Sequence, residues 1–585
     1  MSRDDADIRA APGSRIALAV LVALVVVSPW PFGSVDPRAT QGIALVSLAT
    51  ALGAHAWDAR RGQLRLPAFV LWPLLGLWLL AALQLAPWPA ALHHLIAPGS
   101  AAVWQPDVPE AAAVLGPGPH PISLDPEATR RWLSFTTGLL ALALAAAPAL
   151  RERRLLLRAA IAIVAGAVAV AVYGLVARLA FPDKLYGIWS VPTVAPFGPF
   201  VNKNHFAGYV ELAALLAVGL AAGLSEEARR DASSLSWIES RRARWIVAAW
   251  GAAFVLVLAV LVSLSRGGVV SLSAGLVVFL VLRLWARGSS RLSPRGFAAT
   301  IALLLLAAAV VASLLPVEAR ARVLSLTGVT SEASGSYRIA VWRDTARLVA
   351  SSPLAGSGFG AYAYALPRFK TAAGQLAIEH AENDVLEAVA EGGFLGAALF
   401  LCLAGFVLVY GLRAVLSEAR RLPRALATGA LAGGLALAVH SAFDFNLRLP
   451  SNALAFTALV AVLLAFAANG VPARPTRVLA AAVVAASLAV GPTTPWAAAR
   501  LDSGPLQRAA PSAATSLRRA ALEKDLVAHL RGHPTDPAAW LALAWLRVPA
   551  SRSDAAALGG WAVRLDPTSQ GVRDAASLLS SGPRR

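Results

Sequence analysis

Four titratable side chains recur at helical spacing in one short segment, and together they could carry out acid–base chemistry. If the segment IEHAENDVLEAVAEGGFLG (378–396) is helical from about His380, one face of that helix carries four residues: His380, Asp384, Glu387 and Glu391. A neutral imidazole can accept a proton from a hydroxyl near neutral pH, and a neighbouring carboxylate raises its basicity. We therefore predict that His380 is a general base supported by Asp384 or Glu387.

An apolar stretch would position this face. Residues 394–412 follow the polar cluster directly and are long enough to cross a bilayer. The titratable groups would then lie at the mouth of a membrane helix, where the helix meets water.

The composition is that of a membrane protein with many spans. Of the 585 residues, 57% are hydrophobic and 15% are charged, a balance that soluble proteins of this size do not have. The predicted fold class is therefore all-α, a polytopic bundle of about thirteen transmembrane helices. The apolar runs lie near 15–32, 39–57, 67–86, 131–150, 155–181, 206–224, 244–264, 268–286, 298–315, 386–412, 425–443, 453–469 and 478–495.

The basic residues predict the orientation of the bundle. They occur as short clusters between apolar runs, and such clusters stay on the cytoplasmic side. With the N-terminus inside, every internal loop is basic, the C-terminus lies outside, and 316–385 is a large external loop carrying short helices. The net charge of +19 is thus interpreted as a topology signal, and no nucleic-acid partner is expected.

The C-terminal tail differs in composition from the rest of the chain. We divide the sequence into a transmembrane domain, 1–495, and a small external helical tail, 496–585. Two Asp-Pro pairs, Asp536–Pro537 and Asp566–Pro567, each precede an amphipathic run and predict helix starts. Their spacing is typical of a degenerate tetratricopeptide-type repeat, and a plain helical tail on the membrane domain is the alternative.

Further polar segments fall on the predicted outer face. Besides the helix mouth, they are FGPFVNKNHFAGYVEL (197–212), SLSRGG (263–268), GSYRIAVWRDTARLVASSPLAGSGFGAY (335–362) and HSAFDFNLRLPSN (440–452). Taken singly, Arg266 could be a snorkelling residue at a helix end, and Arg338 and Arg343 could form the solvated face of a surface helix. The GxGxG run at 356–360 follows no strand, so a dinucleotide site is not expected. The convergence of separate segments on one face favours a common function.

Phosphate binding would explain these cations. Arginine binds phosphate through a forked, permanently charged donor array, and Arg266 and Arg338 with Lys203 could hold a diphosphate at the bilayer surface. The same arginines would stabilise a lipid diphosphate as it leaves. The reaction would be glycosyl transfer from a polyprenyl-diphosphate sugar, and the loops contain no DxD-type carboxylate cluster that would call for a metal.

These motifs in combination resemble the O-antigen ligase/polymerase family of bacterial envelope proteins. The resemblance covers about 200–410 and is carried by FVNKNHFAGY, LSRGG, the segment from Tyr337 to Gly358, and EHAENDVLEAVAEGGFLG. The element HSAFDFNLRLPSNA (440–453) is similar to exopolysaccharide-type members that carry a tetratricopeptide-like tail.

The resemblance implies a metal-independent, inverting transfer of glycan from undecaprenyl diphosphate to an acceptor hydroxyl at the periplasmic face of the bacterial inner membrane, without a cofactor. Arg266 and Arg338 would hold the diphosphate and His380 would be the base. Many members have His-x-His-Asn where this chain has His380, Ala381, Glu382 and Asn383, so Glu382 is the alternative base. The remaining substrate-binding candidates lie in the same motifs and comprise Asn202, Lys203, His205, Arg343 and Asn383.

The sequence leaves open the identity of the acceptor, the role of the tail and the class of function, for which a glycan-transferring enzyme is the first hypothesis. The acceptor could be lipid A core, a growing glycan or a protein, and the tail could recruit envelope assembly proteins. A transporter is a second class of function, although transporters place ionisable groups near the bilayer midplane, often in inverted repeats. Here the ionisable residues gather at one surface without an internal repeat, and Glu211, just inside the sixth apolar run, is the exception. A non-catalytic assembly scaffold is the third.

Overall fold

The apolar runs of the sequence form helices. The computed structural model describes residues 10–59, 71–191, 195–231, 241–286, 333–371, 377–466, 473–489 and 516–581, and every predicted run except 298–315, which lies outside the described residues, coincides with a helix. Seven described helices are long and apolar enough to cross a membrane, and four shorter apolar helices accompany them. The chain is thus an all-α, multi-pass membrane protein. The count of thirteen spans and the sides of the two termini stay predictions.

The described part of the chain contains twenty-one α-helices and two pairs of short antiparallel strands. In chain order the helices are α1 (Pro12–Val27), α2 (Pro37–Ala59), α3 (Leu71–Leu85), α4 (Ala90–Ile96), α5 (Pro98–Trp104), α6 (Pro109–Leu115), α7 (Pro126–Ala146), α8 (Arg153–Ala180), α9 (Lys203–Asp231), α10 (Arg241–Val262), α11 (Arg266–Ala286), α12 (Ala333–Ser351), α13 (Tyr362–Ala365), α14 (Asp384–Ser417), α15 (Arg421–His440), α16 (Pro450–Phe466), α17 (Ala473–Ala489), α18 (Ser516–Gly532), α19 (Pro537–Arg547), α20 (Arg552–Leu565) and α21 (Gln570–Ser580). The strands are β1 (Pro87–Trp88) with β2 (His120–Pro121), and β3 (Lys184–Leu185) with β4 (Trp189–Ser190).

The chain divides into two compact units, each built from three segments. The first unit comprises Met1–Trp72, Phe135–Gly328 and Cys402–Ala489. The second comprises Pro73–Ser134, Val329–Leu401 and Val490–Arg585. This division differs from the one expected from composition, because the tail belongs to the same unit as two earlier segments.

Helix α9 forms the centre of the first unit. It is almost entirely buried and packs against α8, α10, α11, α15 and α16. Gly219 lets α15 approach closely, because a Cβ there would lie only 2.6 Å from the carbonyl oxygen of Ala425. Small residues at such contacts are what membrane helices use to pack, since lipid supplies no hydrophobic force between them.

The second unit has one apolar core to which all three of its segments contribute. Trp104 comes from the first segment, Tyr362 from the second, and Trp540 and Trp561 from the tail, and all four side chains are buried. Polar contacts also join the tail to the first segment: the Arg531 Nε donates to the carbonyl of Val114 at 3.0 Å, and Arg564 pairs with Asp107 at 2.6 Å. The tail therefore forms part of this unit's core.

One of the two predicted helix starts in the tail is correct. The Asp536 side chain caps α19 by accepting hydrogen bonds from the backbone of Ala538 and Ala539, both at 3.0 Å. The second prediction is wrong, because Ser569, not Asp566, caps α21, which begins at Gln570. Asp566 ends the preceding helix instead, and its carboxylate accepts from the Ser569 backbone at 3.2 Å. The likeness to a tetratricopeptide repeat stays a prediction.

The second unit contains a buried histidine, His93, with a lowered pKa. The Nε2 of His93 lies 3.1 Å from the Ser100 hydroxyl, which itself donates to the carbonyl of Ile122 at 2.5 Å. The serine therefore accepts from Nε2–H, and Nδ1 of the same ring is the buried, unprotonated nitrogen. Burial, with His120 and His94 as neighbours, lowers the pKa of His93 to about 4.

We expect the thermal unfolding midpoint of the detergent-solubilised protein to fall as the pH is lowered from 6.5 to about 4. The unfolded chain binds the proton at higher pH than the folded chain, so the stability contributed by neutral His93 is present above this range and lost within it. His93→Gln keeps a donor toward Ser100 and should show a smaller decrease. The exposed neighbour His94 supplies the control, His94→Gln. If the unfolding midpoints of both variants change with pH in the same way, His93 is not the group whose protonation lowers the stability.

Candidate functional site

Helix α14 begins at Asp384, four residues later than the predicted start at His380. The backbone of Glu382 has φ 55°, a left-handed conformation that a right-handed helix cannot include. Asn383 then acts as the helix cap, since its Oδ1 accepts from the Leu386 backbone at 2.9 Å. The predicted four-residue face is therefore wrong in its first member, because His380 lies in the loop before the helix.

The loop nevertheless brings His380 to Glu387. The imidazole Nδ1 lies 3.0 Å from Oε1 of Glu387, and the other carboxylate oxygen accepts from the Ala381 backbone at 2.8 Å. Glu387 is 1% exposed, whereas the His380 side chain is 31% exposed. Because a carboxylate only accepts, Nδ1 carries the hydrogen of the neutral ring and Nε2 is the basic nitrogen. A carboxylate that orients an imidazole in this way is found beside histidines that act as general bases.

Glu382 pairs with Arg338 of helix α12. Both Nε and Nη2 of the guanidinium lie 3.3 Å from Oε2 of the glutamate, and both side chains are partly buried. Burial raises the pKa of the adjacent Tyr337 phenol, with Glu382 as a smaller cause. A carboxylate engaged by a guanidinium is a poor proton acceptor, which favours His380 over Glu382 as the base.

The other candidates near this pair have different surroundings. Asp384 is 7% exposed in the first turn of α14, where a carboxylate stabilises the positive end of the helix. Arg343 is exposed on α12 and lies roughly 140° around the helix axis from Arg338. Glu391 accepts a hydrogen bond from the Tyr362 backbone at 3.3 Å, so the last member of the predicted face has a structural partner.

The glycine run at 356–360 holds α14 in place. Gly356, Gly358 and Gly360 all have positive φ, and the loop donates to α14 through Ser357 to the Ala390 carbonyl at 3.1 Å and Gly358 to the Glu391 carbonyl at 3.0 Å. These contacts lie beside a kink at Gly393, whose φ is 62° and ψ −168°. A Cβ at Gly356 would come within 2.6 Å of backbone atoms of α14. The run is thus a structural clamp on the helix that carries Glu387.

A second polar cluster lies in the first unit at the start of helices α9 and α11. Arg266 is the first residue of α11, and the Lys203 ammonium donates to the carbonyl of Leu264 at 3.1 Å. Asn202 Oδ1 accepts from the Asn204 backbone at 2.9 Å and so caps α9. This cluster places two cations at adjacent helix starts, the arrangement that anion binding uses.

One histidine and one carboxylate, His205 and Asp444, lie in the same cluster. His205 is buried, with its Nε2 3.3 Å from the carboxylate of Asp444. The Asn204 amide also donates to Asp444, at 2.8 Å, and Ser265 donates to Asn204 at 2.8 Å. His205 was expected to bind substrate, and the structure places it among these protein partners.

Comparison with known proteins bears on what the two clusters do. Residues 251–401 match the family model described as O-antigen ligase. The chain carries an O-antigen ligase domain. The domain contains Arg266, Arg338, His380 and the histidine's partner Glu387, and the family performs glycan transfer of ligase or polymerase type in a membrane. No curated protein matches the chain.

The O-antigen ligase domain, residues 251–401, is shorter than the range of about 200–410 that the resemblance covers. It begins at residue 251, so Asn202, which caps α9, and Lys203 and His205 on α9 lie outside it. Lys203 contacts Leu264 just before the start of α11, and His205 contacts Asp444 just after the end of α15, whereas Asn202 bonds to Asn204 within its own turn. Their role in substrate binding stays a prediction.

Two buried polar groups support the clusters: Gln84 was not selected from the sequence, and Glu211 was noted there only in connection with a transporter. Gln84 is fully buried in α3, donates to the carbonyls of Ala355 and Glu391 at 2.8 Å each, and accepts from the Phe359 backbone at 3.0 Å. Glu211 is fully buried in α9 beside His440. In both cases the available signal was a hydrogen-bonding residue inside an apolar run.

Proposed function

We propose that this chain transfers a glycan from undecaprenyl diphosphate to an acceptor hydroxyl at the periplasmic face of the bacterial inner membrane. The observation that carries the proposal is the His380–Glu387 pair inside the O-antigen ligase domain. A buried carboxylate that orients a partly exposed imidazole is a base prepared for a hydroxyl group.

The proposed reaction is a single displacement. The acceptor hydroxyl gives its proton to Nε2 of His380, and its oxygen forms a bond to the anomeric carbon of the donor sugar. The bond from that carbon to the diphosphate oxygen breaks, and its electron pair leaves with undecaprenyl diphosphate. Attack opposite to the leaving group inverts the anomeric configuration, and proton transfer with charge stabilisation makes no demand for a metal ion.

The cations stabilise the leaving group in this proposal. Negative charge grows on the diphosphate as the sugar departs, and fixed donors near that charge lower the barrier because they need no rearrangement. Arg266 and Lys203 at the starts of α11 and α9 supply such donors, and Arg338 is a third cation of the proposed machinery. The Arg338–Glu382 pair suggests that Glu382 orients the guanidinium.

The test is transfer by the purified full-length protein in lipid nanodiscs. With undecaprenyl-diphosphate oligosaccharide as donor, we expect one acceptor among lipid A core, a glycan and a protein to gain the mass of the oligosaccharide. Arg266→Ala should lower the rate by about 10²-fold or more, and Arg266→Lys should recover only part of it, because lysine lacks the forked donor array.

Arg178→Ala is the matched control, since this arginine is exposed on α8 of the same unit and donates to the Pro182 carbonyl at 3.1 Å. Full activity of Arg266→Ala would remove Arg266 from the mechanism. Movement of a solute into liposomes without any lipid-linked sugar, and no product with any acceptor, would favour a transporter.

A further inference from the structure

Glu211, His440 and Ser271 form a buried polar cluster among the apolar helices of the first unit. Each side chain is at most 1% exposed. The His440 Nδ1 lies 3.2 Å from both carboxylate oxygens of Glu211, and the Ser271 hydroxyl donates to the same carboxylate. Three helices, α9, α11 and α15, therefore meet at one carboxylate.

Such a cluster gives little net stability. Removing a carboxylate from water costs several kcal/mol, and well-packed apolar residues of similar volume are often equally stable in its place. Ionisable groups inside membrane helices are for this reason a signal of function. The question is which functional group the cluster serves.

The contacts of the cluster lead to Arg266. The next residue is Gly267, where a Cβ would lie 2.8 Å from Nε2 and 2.9 Å from Cδ2 of His440, so the imidazole packs directly against the glycine backbone. Ser271 lies one turn further along α11, and its Oγ is 3.1 Å from the carbonyl oxygen of Gly268. The His440 ring thus packs against Gly267 in the first turn of α11, and Ser271 connects the following turn to Glu211.

A second set of contacts fixes the preceding loop. The Ser265 hydroxyl accepts from the Gly268 backbone at 3.1 Å and donates to Asn204 at 2.8 Å. Leu264 has φ 56° and receives the Lys203 ammonium on its carbonyl. The backbone on both sides of Arg266 is therefore held by side chains of other helices.

We propose that Glu211 and His440 are positioning residues that fix the first turn of α11, and with it Arg266, in the orientation that binds the diphosphate of the donor. This inference rests on the proposed function of Arg266. If the backbone that carries Arg266 is already fixed, the side chain loses less conformational entropy when the donor binds. We therefore expect the positioning residues to increase the affinity for the donor more than they change the rate of the chemical step.

The test separates donor binding from turnover in the full-length protein, with undecaprenyl-diphosphate oligosaccharide as the donor. His440→Ala should raise the donor KM by about 10- to 100-fold with a smaller change in kcat, as expected when a binding group is misplaced. His440→Asn places an amide N–H where Nδ1 donates to Glu211 and should restore KM to within a few-fold of the parent protein. Glu211→Gln should give an intermediate KM.

A matched pair of serines tests the remaining contact. Ser271→Ala removes the hydrogen bond to Glu211 and should raise KM, whereas Ser273→Ala removes an exposed hydroxyl from the same helix and should not. If the His440 variants fail to insert, Gly267→Ala is the second route, because its Cβ would displace the imidazole. The double variant Gly267→Ala/His440→Ala should then lose less than the sum of its single effects.

Arg266→Ala distinguishes a failure of the positioning role of Glu211 and His440 from a failure of the proposed function. If Arg266→Ala loses transfer while His440→Ala and Gly267→Ala keep the parent KM, the positioning role is wrong and the proposed function stands. A fall in kcat with unchanged KM would also contradict the positioning role. If Arg266→Ala transfers normally, the proposed function of that residue fails first.

Discussion

His380→Ala is expected to lower the rate of glycan transfer by about 10²- to 10⁴-fold, the usual contribution of a general base. The expectation follows from the 3.0 Å contact between Nδ1 and Glu387, which leaves Nε2 as the basic nitrogen of a partly exposed ring. The loss should appear in kcat, because the base acts in the transition state. The measurement is single-turnover transfer from the lipid-linked donor to the acceptor identified in the nanodisc assay.

Glu387→Gln tests whether orientation of the ring matters. The glutamine offers one acceptor where the carboxylate accepts from both His380 and the Ala381 backbone, and an amide N–H directed at Nδ1 would move the ring hydrogen to Nε2. We expect a loss of about 10²-fold or more, by the same tautomer argument that applies to histidine–aspartate pairs in hydrolases.

Glu379→Gln is the control for this substitution. It makes the same chemical change at an exposed residue directly before His380, and it should leave transfer near the level of the unsubstituted protein. If His380→Ala and Glu387→Gln both retain full activity while Glu382→Gln abolishes transfer, Glu382 is the base and the assignment made above is wrong.

Trp540→Ala is expected to abolish transfer although Trp540 lies in the C-terminal tail. Its fully buried side chain belongs to the same apolar core as Val341 of α12 and Ala381 of the loop that carries His380. Replacing a buried tryptophan by alanine costs about 3–5 kcal/mol, a large part of the ~5–15 kcal/mol by which folded proteins are usually stable. The loop and the tail should therefore lose their structure together.

Trp545 on the same helix provides the matched control. It is 38% exposed, and Trp545→Ala should retain both activity and resistance to limited proteolysis. Proteolysis of the Trp540 variant should release fragments from both the tail and the 333–371 segment. An active Trp540 variant with only its tail cleaved would show that the tail folds apart from the site, and it would favour the recruitment of partners as the role of the tail.

Local patterns were sufficient to predict the helices. Periodicity and length identified the described membrane helices, and Asp536–Pro537 identified the start of α19, because apolar stretches and capping residues act over a few residues. The pairing of His380 with Glu387 was also among the predicted options. The predicted cause of the pairing, a helical face shared by His380 and Glu387, was wrong. His380 reaches Glu387 from a loop in which Glu382 has a left-handed backbone conformation.

Contacts between distant segments could not be read from local patterns. The glycine run clamps α14 at the Gly393 kink, Gln84 joins the 353–359 loop to α14, and Glu211 meets His440 across 229 positions of the sequence. A hydrogen-bonding residue in an apolar run signals that a partner exists, but nothing in its neighbours says which segment supplies it.

Composition, periodicity and short motifs are local properties, and they were enough to predict a helical membrane protein with a His380-centred motif of O-antigen ligase type. The shared core of the tail and the segment carrying Arg338 and His380, and the contact of His440 with the first turn of α11, became visible only in the folded chain. Both depend on side chains brought together by packing, which minimises exposed apolar surface and unpaired polar groups over the whole fold.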